Sequence, residues 1–224
     1  MSDVFWGVQL ESSKLVIFDV DGTLNQTERY AIDAYRKALT EIGKTNYTDA
    51  ELRARIGAPF EEDILYFLGD QKETLGNQFL DSITKYWIEG IKRKATTYPG
   101  VTEMLETLKQ KGYQLAICSN AYPQELETIL DTLKIGDQFC YIQGLTEEGT
   151  KKDSLRVLLK TCKPKWAVMV GDRNYDCEAA EANNIGFIGC LYGYCMPGEL
   201  NHCKYLTSSA YEIPDLTVRL EQNG

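Results

Sequence analysis

Apolar residues gather into five short runs: LVIFDV (Leu15 to Val20), QLAICS (Gln114 to Ser119), FCYIQ (Phe139 to Gln143), WAVMVGD (Trp166 to Asp172) and GFIGC (Gly186 to Cys190). Each is rich in branched and aromatic side chains and is bounded by polar or turn-forming residues, which predicts buried strands. Between them the spacing becomes helical, with Val101, Met104, Leu105 and Leu108, then Leu126, Ile129, Leu130 and Leu133, then Leu155, Leu158 and Leu159. Near-continuous apolar strands alternating with amphipathic helices predict an α/β fold whose parallel sheet is covered on both faces, the doubly wound arrangement.

The stretch 25–95 follows another pattern, because it holds no strand-like run and several helix starts and stops. Asn25 with Glu28 fits a capping box, followed by Ala31, Tyr35, Ala38, Leu39 and Ile42 on one face and Gly43 at the end. Thr48 with Glu51 repeats the capping signal, Gly57 and Pro59 stop that helix, and PFEEDILYFLG begins another. A last helix is expected over Glu73 to Lys94, and Tyr98-Pro99-Gly100 marks the return to the sheet. The chain therefore divides into a core of residues 1–24 and 96–224 and an inserted helical cap of residues 25–95. An insertion directly after the first strand sits over that strand's carboxyl end, where open α/β sheets bind ligands. Beyond Lys204, a short strand at Tyr205 to Thr207 and a closing helix with Ser209 and Glu212 as its capping box complete the pattern.

Composition narrows the partners. The 224 residues carry 24 basic and 33 acidic side chains, a net charge of −9, which disfavours nucleic acid and anionic membrane surfaces. No apolar run approaches the length of a membrane span, and MSDVFWGVQLESSK lacks the features of a secretory signal, so a cytoplasmic address is expected. The seven cysteines are scattered with no CxxC pair and are expected to be reduced thiols that pack as small hydrophobes. Nothing in the pattern fixes an oligomeric state.

Candidate chemistry begins at Asp19-Val20-Asp21-Gly22-Thr23, directly after the first strand. Residues two apart on a strand share a face, so both carboxylates are expected to converge at the sheet edge. Two such close carboxylates repel unless a cation joins them. Gly22 permits a tight turn and Thr23 supplies a hydroxyl donor.

This segment resembles the first motif of the haloacid dehalogenase superfamily in its phosphatase branch. The resemblance extends through the core. Ser119, with Asn120 beside it, occupies the position of the family's second-strand hydroxyl, which binds the transferring phosphoryl group. Lys151 and Lys152 both lie where the family places a lysine; Lys152 is preferred, because Leu155 falls three residues later. VGDRNYDCEAA resembles the motif GDxxxD, with Asp172 as a direct magnesium ligand and Asp176 as a water-mediated ligand or an orienter of the lysine.

The resemblance implies Mg2+ held by Asp19, the Asp21 backbone carbonyl, Asp172 and Asp176. Asp19 would be the nucleophile and Asp21 the acid/base, with Gly22, Thr23, Ser119, Asn120 and the lysine around the phosphate. GCLYGYCMPGEL and RIGAPFEEDIL resemble the tail and cap elements of phosphoglycolate phosphatase-like members, although Cys195 replaces the usual glycine. The expected substrate is a small phosphorylated metabolite such as phosphoglycolate or a sugar phosphate. A sugar-phosphate mutase and a non-catalytic phosphate-sensing or partner-binding protein are the alternatives. Arg53 and Arg55 are candidate contacts for an anionic substrate.

Overall fold

The structure is a computed structural model and describes residues 13–146 and 149–223. The first twelve residues, whose composition bears on targeting, lie outside it. Strand β1 (Lys14–Phe18) leads into four helices, α1 (Glu28–Glu41), α2 (Asp49–Ala54), α3 (Phe60–Leu68) and α4 (Lys72–Lys94). Helix α5 (Val101–Gln110), β2 (Gln114–Cys118), α6 (Pro123–Leu133) and β3 (Tyr141–Gln143) follow. Then come α7 (Lys151–Cys162), β4 (Trp166–Gly171), α8 (Asn174–Ala182), β5 (Gly186–Cys190), β6 (Leu206–Thr207) and α9 (Ile213–Gln222).

All six strands pair in parallel in the order β3-β2-β1-β4-β5-β6. The period of two along a strand divides the core into two layers. Val16 and Phe18 of β1 point to the face covered by α5, α6 and α9, whereas Leu15 and Ile17 point to α7 and α8. Small residues thin the second layer, where Ala116, Ala167, Ala179 and Ala180 pack with Leu155 and Leu158. Strand order reverses at β1, whose neighbours are β2 on one side and β4 on the other, so a crevice opens at the carboxyl ends of β1 and β4.

Helices α1 to α4 form a cap over that crevice. Their aromatic centre is edge-packed, with the Tyr35 and Trp87 rings 5.3 Å apart and Tyr30 and Trp87 5.5 Å apart. The two connecting segments are bridged: Gln26 N donates to Thr96 O at 2.9 Å, and Tyr98 N to Leu24 O at 3.0 Å. No helix among the described residues is long and apolar enough to cross a membrane.

Element ends differ from the sequence reading in physically informative ways. The capping box at Thr48 and Glu51 forms. Asn25 does not cap α1. The N-cap is Thr27, and the Asn25 amide instead donates to Thr27 Oγ1 and Tyr30 OH, both at 2.9 Å. At the closing helix, Ser209 Oγ accepts from Tyr211 N at 3.3 Å and opens a 3-10 turn before α9.

Candidate active site

The loop after β1 folds around a single carbonyl. Val20 O accepts from the backbone N–H of Leu24 at 3.0 Å and of Asn25 at 2.8 Å, which turns Asp19 and Asp21 into the crevice. Gly22 adopts a φ of +94°, and a Cβ there would overlap the Asp172 carboxylate and the Tyr194 ring. Gly22→Ala is therefore expected to cost several kcal/mol, from the left-handed backbone and the displaced carboxylate together. A fall of more than about 5 °C in Tm, read by calorimetry, checks it.

Four groups converge above the sheet. Carboxylate oxygens of Asp19, Asp172 and Asp176 lie within 4.8 Å of one another, and all three side chains are buried. The Lys151 ammonium is ion-paired with Asp19 and with Asp176, the latter at 2.5 Å. Asp172 is held in place by Tyr194 N, which donates to its Oδ2 at 2.5 Å, and by Thr23 Oγ1, which donates to Oδ1 at 3.3 Å. Asp176 Oδ2 accepts from Arg173 N at 3.0 Å.

Electrostatics mark the cluster as short of positive charge. Burial pushes the Asp19 carboxyl up to about 7; Lys151 opposes the rise, and Asp176 and Asp21 add to it. Asp172 is pushed well above the usual carboxylate range by burial and then by Asp19 and Asp176. Burial alone would lower the Lys151 ammonium, but Asp176 and Asp19 outweigh it and keep the group charged. Three buried carboxylates facing one ammonium fit a hard divalent cation, which favours an all-oxygen donor set and offsets their repulsion.

The structure corrects two expectations about these residues. Lys152 does not enter the site: it is about half exposed and pairs with Glu178 at 2.8 Å. Lys151 enters instead, because it lies four residues before Leu155, on the stripe that continues through Leu158 and Cys162 toward the sheet. The Asp21 carboxyl also stands outside the group of three. It accepts a hydrogen bond from Thr27 Oγ1, so its side chain faces the cap while Asp176 takes the third place. Burial raises the Asp21 carboxyl, against the hydrogen bond from Thr27.

The remaining expected residues are divided by the structure. Ser119 and Asn120 line the pocket beside Asp19 and Asp21. The Thr23 hydroxyl is engaged with Asp172, and Gly22 gives the Asp172 carboxylate room. Arg53 pairs with Glu28 at 2.6 Å, and Arg55 with buried Asp63 at 2.7 Å, so both are committed within the cap and its rim.

The pocket also contains a residue that sequence did not single out. Glu125, on the first turn of α6, accepts from the Trp87 indole N–H of α4 at 2.5 Å and faces the same small cavity as Asp19 and Asp21. Burial and then the Asp21 charge push its carboxyl up to about 8. The ordinary value of 4.5 applies to the unfolded chain, so from pH 4.5 to about 8 the folded protein keeps a proton that the unfolded chain has released. Stability falls with pH through that window, by up to a few kcal/mol. Glu125→Gln, which imitates the protonated acid, should flatten the fall, and urea denaturation at pH 5 and pH 8.5 measures it. An unchanged pH dependence would show that Glu125 does not titrate in that window.

Further contacts seat the cap on the core. Asn120 Nδ2 donates to Gly57 O at 3.0 Å, Arg173 Nη1 to Ile56 O at 2.6 Å and Arg53 Nη2 to Gly193 O at 3.0 Å. The pocket thereby lies between Phe60 and Trp87 above and the carboxyl ends of the strands below.

A parallel sheet with an acidic, lysine-bearing cluster at its switch point and a helical cap above defines a capped, doubly wound α/β architecture. Residues 16–190 match the model of the haloacid dehalogenase-like hydrolases, and the chain belongs to that family. It is 30% identical over 210 residues to a phosphoglycolate phosphatase of Aquifex aeolicus, spanning 92% of both chains. It is also 29% identical over 192 residues to the tyrosine-protein kinase PtkA of Mycobacterium tuberculosis, spanning 82% of this chain and 64% of that protein. Among solved structures it superimposes on one from Clostridium acetobutylicum described as a predicted phosphatase, with TM-score 0.85, 25% identity, and coverage of 94% and 100%. The chain is an enzyme of the hydrolase class, in the phosphatase branch of its family.

Proposed function

We propose that this chain hydrolyses a small phosphate monoester, of the phosphoglycolate or sugar-phosphate kind, in two steps through a phosphorylated Asp19 and with Mg2+ as cofactor. The observation that carries the reading is the position of Asp19. It lies at the floor of a pocket beneath the cap, paired with Lys151 and grouped with Asp172 and Asp176, with Ser119 at its side. Asp19, Asp172 and Asp176 would hold the cation, which when bound supplies positive charge to the phosphoryl oxygens and keeps the carboxylates ionised.

The chain's own residues account for the rest. Asp19 attacks phosphorus, and the Lys151 ammonium and Ser119 hydroxyl bind the charge that develops on the phosphoryl oxygens. Asp21, poised by Thr27, donates a proton to the leaving oxygen and then takes one from the water that attacks the phosphorylated Asp19. Cap residues Phe60 and Trp87 exclude bulk water, and protonated Glu125 donates a hydrogen bond to an oxygen of the leaving group. Segment 25–95 acts as the moving part, hinged near Asn25 and Ala95, because its residues Phe60 and Trp87 overhang the pocket that holds Asp19.

The test is a panel of phosphorylated metabolites, phosphoglycolate and hexose phosphates included, assayed for inorganic phosphate with Mg2+ and with EDTA. Phosphate release that needs Mg2+ is expected. Isomerised sugar phosphate with little free phosphate would replace hydrolysis by a mutase reaction, and no turnover of any ester would reject the enzyme reading.

A further inference from the structure

Cys177, on α8, meets the adjacent pair His202 and Cys203 from the segment before β6. Cys177 Sγ lies 3.1 Å from Cys203 Sγ and 3.5 Å from His202 Nε2. Glu181, one turn further along α8, brings its Oε1 to 3.7 Å from the Cys177 sulfur. Three donors of two chemical kinds therefore lie within 4.8 Å of one another, with Glu181 beside one of them, and His202 is the chain's single histidine.

We infer that Cys177, Cys203 and His202 form a binding site for a zinc-class divalent cation, whose fourth position is open to Glu181 or water. Zinc bonded to thiolate at about 2.3 Å and to imidazole at about 2.0 Å in a tetrahedron separates two sulfurs by about 3.8 Å and sulfur from nitrogen by about 3.5 Å. The sulfur–nitrogen distance is already met, and the sulfurs need to part by only a fraction of an ångström. A disulfide would use only the two sulfurs and leave the approach of His202 without a purpose. Soft thiolates select such a cation over the magnesium class, so the two clusters would sort metals by donor chemistry.

The position of the site gives it a structural task. His202 and Cys203 end the segment between β5 and β6, in a turn where Cys203 N donates to Leu200 O at 2.9 Å. The same segment supplies Tyr194 N to Asp172 at 2.5 Å, and Glu199 Oε1 to Asn174 N at 2.7 Å. A cation there would staple this segment to α8 at the end away from Asp172 and steady the arm that holds that carboxylate.

The test uses the full chain, reduced and stripped of metal, titrated with Co2+ in excess Mg2+. The expected result is a thiolate-to-cobalt charge-transfer band in the near ultraviolet, with visible bands of tetrahedral strength, saturating at one ion per chain and displaced by Zn2+. The double variant Cys177→Ser/Cys203→Ser should lose the charge-transfer band, and His202→Ala should weaken cobalt binding at least about tenfold. Because His202 is exposed, that variant should fold and keep phosphatase activity, yet lose the rise in Tm that Zn2+ gives the parent. Absence of the band, its survival in the double cysteine variant, or rapid closure of a Cys177–Cys203 disulfide without cobalt binding would overturn the assignment.

Discussion

An Asp19→Asn protein loses phosphatase turnover by roughly 10⁴-fold or more while keeping its fold. Asparagine has the shape of aspartate and cannot form the acyl phosphate, so the loss falls on kcat. Stability should move the other way. Asp19 is one of three buried carboxylates that face one ammonium, and burial with the charges of Asp176 and Asp21 already pushes its carboxyl up to about 7. Removing that charge relieves repulsion, and Lys151 keeps its partner Asp176 at 2.5 Å. The metal-free variant should melt at or above the parent temperature, and added Mg2+ should stabilise it less. Near-parental turnover would remove Asp19 from the nucleophile's role; a large fall in metal-free Tm would show that the cluster is not short of positive charge.

Lys151→Met is the second large effect, and Lys152→Met is its internal control. Without Lys151, Asp19 and Asp176 are buried with no cation between them, a loss expected to cost about 3–5 kcal/mol and to lower Tm by on the order of 10 °C. Mg2+ should restore part of that stability. Activity should fall by roughly 10²-fold to 10³-fold even with saturating Mg2+, since the ammonium also binds phosphoryl oxygens. Lys152 pairs with Glu178 on the surface, where an ion pair is worth about 0–1 kcal/mol, so its replacement should change activity less than about twofold. The opposite ranking of the two variants would return the role to Lys152.

The two lysines show how far the sequence carries. Both sit at the start of an obvious amphipathic helix, and the i+3 spacing from Lys152 to Leu155 is a legitimate helical neighbourhood. The longer stripe decides, because Leu155, Leu158 and Cys162 extend backward to position 151 by steps of four, three and four. The strands were legible because both sheet faces are buried, so their apolar runs are continuous. Their ends were less so. The run Leu15 to Val20 overshoots a strand that closes at Phe18, although Asp19 N still donates to Val170 O at 2.9 Å. Likewise Phe139 is buried and Cys140 N donates to Leu115 O at 2.8 Å, yet the strand proper begins only at Tyr141.

Tertiary placement hid the remainder. Asn25 with Glu28 reads as a local capping box, while in the fold the Asn25 and Thr27 side chains form a short relay that ends on Asp21. Strand alternation put both loop acids on one face, but the chain leaves the strand at Asp19 and turns about Val20, which separates Asp21 from the cluster. An acid on the first turn of a helix, as Glu125 is, ordinarily faces solvent and the helix dipole. Only the descent of Trp87 from the cap buries it.

The most direct test of the central claim is mass spectrometry of the peptide that contains Asp19, taken from Asp21→Asn protein that was mixed with Mg2+ and p-nitrophenyl phosphate, whose phenolate leaves without needing the Asp21 proton, and then quenched in acid. With the second-step base removed, a single phosphoryl group should accumulate on Asp19. Phosphate released with no adduct on that peptide, or an adduct on a different residue, would contradict the account.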